Sequence, residues 1–442
     1  MTGLGARLWP LLASVALVWP VTALVWPVTA LVWPLTALVW LVTALVWPQA
    51  AVSQEAAQEA ALTCELVFEA SPPQLNACQG GGRLTVALVG DVLLHAPLQR
   101  RGYAEGFRTI WGAAEPFLLR ADIAVANLEG PVAAGFGGIN RPGDDPGPVF
   151  GTGVYTSFPM FNYHPRVLAD LFGSGIDLVT TANNHALDRG GQGLDATLDA
   201  IAAAGLLQAG AIRGGAAPDF VAFSDTALGR IVWIACTFST NGIGDPQGQV
   251  LMCFQQRAAV LALIAAYAAQ PGIAAVMVLP HWGEEYQNSA AADQRGLAAA
   301  MVAAGATVVV GTHPHVVQDW QVIGGPAGQV PVIYSTGNFV SGQPGLARET
   351  GMLAWLSLCR GASTGDLGQS LRSRLVVERA GWVPLRMGRA PEGVRLFSVG
   401  PDGAAGYVAA AAEHIEGRAP GFSMGARFAC RGGDAPLALA LQ

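Results

Sequence analysis

Charge is scarce in this 442-residue chain: Asp, Glu, Lys and Arg together make up 12% of it, and no Lys/Arg cluster occurs. That scarcity argues against a nucleic-acid partner or an anionic-lipid surface, both of which need a basic patch. The formal net charge is −7. The six cysteines include no C-x-x-C pair, which argues against a zinc ribbon or a thioredoxin-like centre. There is no G-x-S-x-G, so a serine nucleophile elbow is missing. What is abundant is apolar: hydrophobic residues make up 52%, enough for a large buried core and incompatible with a disordered chain.

Before Glu55 the only charge is Arg7. From Ala16 the heptapeptide A-L-V-W-P-V-T recurs with variations to Pro48, its period marked by Trp19, Trp26, Trp33, Trp40 and Trp47. A short basic start followed by an apolar run is the pattern of an export signal. The apolar stretch also exceeds the roughly 20 residues that span a bilayer, although Pro20, Pro27 and Pro34 work against one straight helix. Residues 1–53 are therefore read as a signal or anchor segment. Ala51-Val52-Ser53 offers an A-x-S cleavage site, and cleaved and anchored forms both stay open. The expected location is outside the cytoplasm, periplasmic or membrane-anchored. An even set of cysteines in that compartment reads as disulfides, and proximity in sequence pairs Cys64 with Cys78, Cys236 with Cys253, and Cys359 with Cys430.

Residues 54–82 form a polar connector, 83–400 the expected main domain, and 401–442 a C-terminal extension tethered by a disulfide. Apolar, β-branched runs at 84–89, 123–126, 178–181, 231–235, 275–279, 307–310 and 330–334 predict strands. Between them, helical patterns occupy 116–120, 165–172, 194–204, 258–269 and 293–304. The alternation predicts an α/β fold with strands buried on both faces. The Gly/Pro/Asp-rich stretch 135–151 reads as a lid or insertion, and no motif is visible beyond about residue 389.

In such folds chemistry gathers at the carboxyl ends of strands. Read in order, the tips here are Gly90-Asp91, then Asn127-Leu128-Glu129-Gly130, then Asn183-Asn184-His185. His281-Trp282-Gly283-Glu284-Glu285-Tyr286, Gly311-Thr312-His313-Pro314-His315 and Ser335-Thr336-Gly337-Asn338 follow. Carboxylate, amide and imidazole groups converging from several elements suit a divalent cation. In extended backbone, H-x-H would turn His313 and His315 to one face. A pair of cations in such a shell would activate water and clamp a phosphoryl group. His185, beside Asn184, would face the substrate as general acid or as a binder of phosphate oxygens. His95 and His164 read as ordinary loop histidines, and His414 as a surface one.

The tips V-G-D-V, A-N-L-E-G-P, T-A-N-N-H-A-L-D-R-G, H-W-G-E-E-Y, G-T-H-P-H-V-V-Q and Y-S-T-G-N-F-V resemble the poly-γ-glutamate (capsule) biosynthesis family, CapA/PgsA, over roughly residues 84–342. That family is similar to the calcineurin-like metallophosphatases. The resemblance implies a four-layer α/β/β/α sandwich with one or two divalent ions (Mn, Fe or Zn). Asp91, Glu129, Asn184, His281, His313 and His315 are the implied ligands, with His185 and Asp91 catalytic. Asn127, Asn183, Asp188, Glu284, Tyr286, Gln318 and Asn338 are the implied substrate-binding or supporting residues. The chain departs from the wider phosphatases in two places: Leu93 stands where they carry the histidine of D-x-H, and Asn127 or Glu129 replaces their second-strand aspartate. After the last motif, Ser341-Gly342-Gln343 stands where the family often has an acidic turn.

Three functions remain in view. The first is a metal-dependent phosphoesterase-like hydrolase acting on an extracellular polymer or a phosphorylated small molecule. The second is a non-catalytic metal-binding partner of a membrane polymer synthetase. The third is a metal-dependent amide hydrolase or transferase on polyglutamate.

Overall fold

Leu84–Leu93 is apolar at nearly every position, and its alternate side chains enter two different cores. Val86 and Leu88 face a second sheet, while Ala87 and Val89 face a layer of helices. A strand can be apolar on both sides only when both faces are covered. The same split holds for Ile123–Leu128, whose Ile123 and Val125 go inward and Ala124 and Ala126 outward.

The computed structural model describes residues 64–68, 70–362, 374–390, 393–398 and 405–430. The leader, the proposed cleavage site and most of the connector's first half lie outside them. Among the described residues no helix is long and apolar enough to cross a membrane.

One sheet runs in the order Gly393–Ser398, Leu375–Ala390, Thr350–Arg360, Leu84–Leu93, Ile123–Leu128, Leu178–Thr180, Leu207–Ala209, with Asn338–Ser341 also pairing with Leu84–Leu93. The other runs Trp320–Gly325, Gly328–Ile333, Val308–Val310, Ile273–His281, Gly229–Thr237, Val221–Thr226. The second has a parallel centre and antiparallel edges, whereas the first is antiparallel from Gly393–Ser398 to Leu84–Leu93 and parallel from there to Leu207–Ala209. Trp233, Met277 and Val310 meet Leu88, Val125 and Leu356 between the sheets. On the far side of the second sheet, Val232, Ile234 and Val276 pack on Ile264, Leu297 and Met301 of helices Arg257–Ala269 and Ala292–Ala303. Helices including Ala96–Glu105 and Arg166–Gly173 cover the first sheet through Leu98, Leu168 and Leu171. The expected four-layer α/β/β/α sandwich is what these packed faces make.

Two expectations need correction. Cys236–Cys253 is bonded as expected, but Cys78 is joined to Cys359, which overturns 64–78 and 359–430. The reason is non-local pairing: an antiparallel bridge of Cys78 with Gly361 brings the connector against strand Thr350–Arg360. Cys64 instead lies in register with Cys430, on paired strands Cys64–Phe68 and Ala426–Cys430. Beyond residue 389, where the sequence shows no motif, strand Gly393–Ser398 and helix Ala405–Glu416 follow. Finally His414 is half-buried rather than superficial, near Asn288 at 3.4 Å from its Nε2.

Candidate metal centre

Gly90 lets the first sheet close around Asp91. The Gly337 carbonyl comes so near that a Cβ at position 90 would overlap it, and this approach lets that carbonyl accept the Asp91 N–H at 3.2 Å. Asp91 is fully buried. Its Oδ1 accepts Asn127 Nδ2 at 2.8 Å, and its Oδ2 lies 3.2 Å from His315 Nδ1. Asn127 is saturated in turn: its Oδ1 accepts from Thr180 Oγ1 at 2.9 Å and Asn183 Nδ2 at 3.3 Å. It is a strut for Asp91. Leu93 points into the apolar core under the helices, so the strand offers no imidazole there.

Glu129 follows strand Ile123–Leu128, and both its carboxylate oxygens are buried without a hydrogen-bond partner. An orphaned buried carboxylate costs several kcal/mol unless something positive meets it. Burial first, and then the neighbouring Asp91, push its pKa well above the usual range. Around it stand His281 Nε2 and His315 Nε2, each 3.7 Å from Oε1. Asn184 Oδ1 lies 2.9 Å from His281 Nε2. Ligand atoms about 2.0–2.2 Å from one ion sit roughly 3–3.5 Å from each other, so these separations fit a cation among them. Nδ1 of His313 is likewise buried without a partner.

Three overlapping triads have ligand atoms within 4.8 Å of one another: Glu129, His281 and His313; Asp91, Glu129 and His315; and Glu285, His313 and His315. Shared members make room for one or two ions. Burial first, then the adjacent imidazoles, hold His281 and His313 well below the usual histidine pKa, which leaves them neutral as ligands must be. Burial opposes charge on His315 too, but Glu129 and Asp91 outweigh it and raise its pKa to about 9.

The H-P-H segment is not extended, contrary to expectation. His313 and His315 both adopt left-handed backbone, with φ of 100° and 57°. Such conformations are costly for non-glycine residues and persist where surroundings enforce them. Here they turn both rings into the cluster, their centroids 5.9 Å apart. Asn338 pins the loop: its Oδ1 is 3.0 Å from His315 Nδ1, and its Nδ2 donates to the His315 carbonyl at 3.3 Å.

The other expected residues separate by place. Asn183 donates to the Leu128 carbonyl at 2.8 Å and shapes the loop that carries Asn184. Asp188 holds His185 Nδ1 at 2.8 Å. Gln318 is buried beneath the rim and donates to the Gln287 and Ser289 carbonyls at 2.8 and 3.3 Å. Tyr286 stands over His315, ring centroids 6.2 Å apart, with its pKa pushed to about 12 by burial and then by Glu285. Glu284 is exposed, and the neighbouring Glu285 brings its carboxylate to the histidines. Two adjacent glutamates in the motif gave no basis for choosing between them, because the period-two strand has ended at His281. His164 lies away, packed among Tyr103 and Tyr155. Phe161 had no signal in the sequence, yet its ring meets His185 edge-on at 4.8 Å.

A family model for the bacterial capsule synthesis protein PGA_cap matches residues 85–343, more than half the chain. The chain is 29% identical over 266 residues to the PGA biosynthesis protein CapA of Bacillus subtilis (strain 168), covering 59% of this chain and 64% of that protein. It is 26% identical over 264 residues to the capsule biosynthesis protein CapA of Bacillus anthracis, covering 59% and 60%. The match thus spans less than two thirds of either relative. Among solved structures, the NAD nucleotidase NadN of Haemophilus influenzae overlays with a TM-score of 0.41 at 12% identity, over 76% of this chain and 57% of that one.

Proposed function

Since the chain belongs to the bacterial capsule synthesis protein family, we propose that it is a metal-dependent phosphoesterase-like hydrolase of capsule biosynthesis, acting outside the cytoplasm on a phosphorylated precursor or an extracellular polymer. The relatives' names, PGA and capsule biosynthesis, support that setting. The observation that carries the chemistry is the buried Glu129 carboxylate, unpartnered among His281, His313 and His315.

Asp91, Glu129, Asn184, His281, His313 and His315 would hold the ion, with Glu285 at its outer side. Bound there, a divalent ion supplies Lewis acidity toward a phosphoryl oxygen and eases deprotonation of water. The remaining work falls to side chains. His185 gives Nδ1–H to Asp188 Oδ2, which fixes the ring and turns Nε2 away from that carboxylate. Protonated, that Nε2 hands its proton to the leaving oxygen as water attacks phosphorus and the ester P–O bond breaks. The proton lost by the water restores the imidazolium. Asn127 and Asn338 keep Asp91 and His315 in place throughout.

Hydrolysis of a chromogenic phosphoester with added Mn²⁺ tests the reading, on wild type, His185→Ala and Asp91→Ala in parallel. Loss of turnover in both variants is expected; equal activity in all three would mean a contaminant. One observation favours a second reading, a metal-holding scaffold for a membrane polymer synthetase: Leu93 buries itself where an imidazole ligand would stand. Bound metal with no turnover on any phosphoester would put that reading ahead, and turnover on γ-glutamyl amides instead would make the protein an amidohydrolase.

A further inference from the structure

His95 is the histidine that the proposed chemistry leaves without a task. It occupies the N-cap position of helix Ala96–Glu105, but its side chain makes no capping bond, so its ring does not serve to start the helix. It is half-buried. Its ring meets Phe161 edge-on at 5.5 Å, and Phe161 meets His185 the same way at 4.8 Å. One aromatic ring, Phe161, thus separates it from His185 at the edge of the candidate centre. The Ser341-Gly342-Gln343 turn fastens this rim: Gly342 donates its N–H to His95 Nδ1 at 3.2 Å, and Gln343 Nε2 donates to the Tyr286 hydroxyl at 3.3 Å.

The Gly342 bond decides which nitrogen carries the proton. A backbone N–H can only donate, so Nδ1 presents its lone pair and the neutral ring carries hydrogen on Nε2. The Leu93 carbonyl, also 3.2 Å from Nδ1, would favour the other tautomer, but a hydrogen on Nδ1 would confront the Gly342 N–H, whereas that carbonyl keeps the backbone N–H of His95 at 3.1 Å either way. Burial, the largest influence, lowers the ring's proton affinity and keeps it neutral near pH 7. His185 is the complement, with its hydrogen on Nδ1 toward Asp188. The wall around Phe161 thus pairs a fixed Nε2–H donor with a proton-transferring Nε2.

We infer that His95 is a substrate-binding residue, donating Nε2–H to a non-bridging oxygen of the phosphoryl group whose leaving oxygen faces His185. This rests on the phosphoesterase reading and adds a binding contact that the metal ligands do not provide. Its signature is loss of binding without loss of metal.

The test uses the full chain loaded with Mn²⁺ and inorganic phosphate as the calorimetric probe, beside KM and kcat for a chromogenic phosphoester. His95→Phe should raise the phosphate Kd and the KM about tenfold or more, the worth of a hydrogen bond to a charged oxygen. His95→Gln, which keeps an N–H near that place, should recover most of the loss. Gly342→Ala should behave like His95→Phe with the imidazole still present, because a Cβ there would sit 2.8 Å from His95 Cβ. Metal content should stay at wild-type values in all three variants, and the melting temperature should do so in the two His95 variants. Wild-type phosphate affinity in His95→Phe would overturn the inference alone. So would equal losses in His95→Phe and His95→Gln with a lowered melting temperature, since that marks a structural role. A wild-type protein that neither binds phosphate nor turns over phosphoesters would overturn the hydrolase reading and this inference with it.

Discussion

Asp188 Oδ2 lies 2.8 Å from His185 Nδ1 and also accepts the Phe161 backbone N–H at 2.6 Å. The carboxylate is therefore held from two sides, and it locks the ring proposed above as the general acid. His185→Ala should keep its metal and its melting temperature while turnover falls by about 10²–10⁴, the usual worth of general acid catalysis. Asp188→Asn should lose about tenfold or more in kcat and also melt lower, because Phe161 loses a charged acceptor. Metal analysis, melts and kcat on both variants check this; a His185→Ala protein that sheds its metal would make His185 a ligand.

Glu129 Oε1 is 3.7 Å from both His281 Nε2 and His315 Nε2. The wild-type protein should carry about one or two transition-metal ions per chain. Glu129→Gln should weaken retention sharply, and His313→Ala with His315→Ala should remove most of the metal while the sandwich stays folded. Elemental analysis decides it, and equal metal in wild type and the double variant would dismiss the site.

The metal-free protein should lose stability as pH rises from 6.5 to 9. His315 has a folded pKa of about 9 against an ordinary 6.5, so its contribution is complete below 6.5 and gone once pH passes through 9. Its size is on the order of 3 kcal/mol. Glu129, whose pKa is also raised, has the same sign, because folding favours its protonated form. Metal reverses the slope, since ligands must be deprotonated to bind it. Thermal melts at pH 6.5 and 9, with and without chelator, read both slopes; metal-free stability that climbs over this window would contradict the assignment.

Cys78–Cys359 spans 281 residues and Cys236–Cys253 spans 17. Removing either pair by Ser substitution should cost about 2–5 kcal/mol, more for the longer span in the chain-entropy account. Under denaturing, non-reducing conditions at most two of the six thiols should react. Four or more reactive thiols would break this pairing.

The sequence by itself determined an α/β class with polar strand tips, and its six motifs carried the family resemblance that implied the four-layer sandwich and the ligand set. Doubly buried strands must be apolar at every position, and each such run here ends at a polar tip, so periodicity put Asp91, Glu129, Asn184, His281, His313 and His315 at strand ends, while the resemblance singled them out as ligands. Local pattern could not choose between Asn127 and Glu129, because both sit at the same tip. Packing chose: Asn127 is consumed by Asp91, Thr180 and Asn183, and Glu129 is left bare. Nor could it show that His313 and His315 reach the cluster through left-handed backbone, since that conformation is enforced by neighbours such as Asn338. Cys78 with Cys359, and His95 with Gly342, lie hundreds of residues apart in the chain and meet only because strands pair across the sheet. Contacts of that separation are set by which strands become neighbours, and no short window of sequence carries that information.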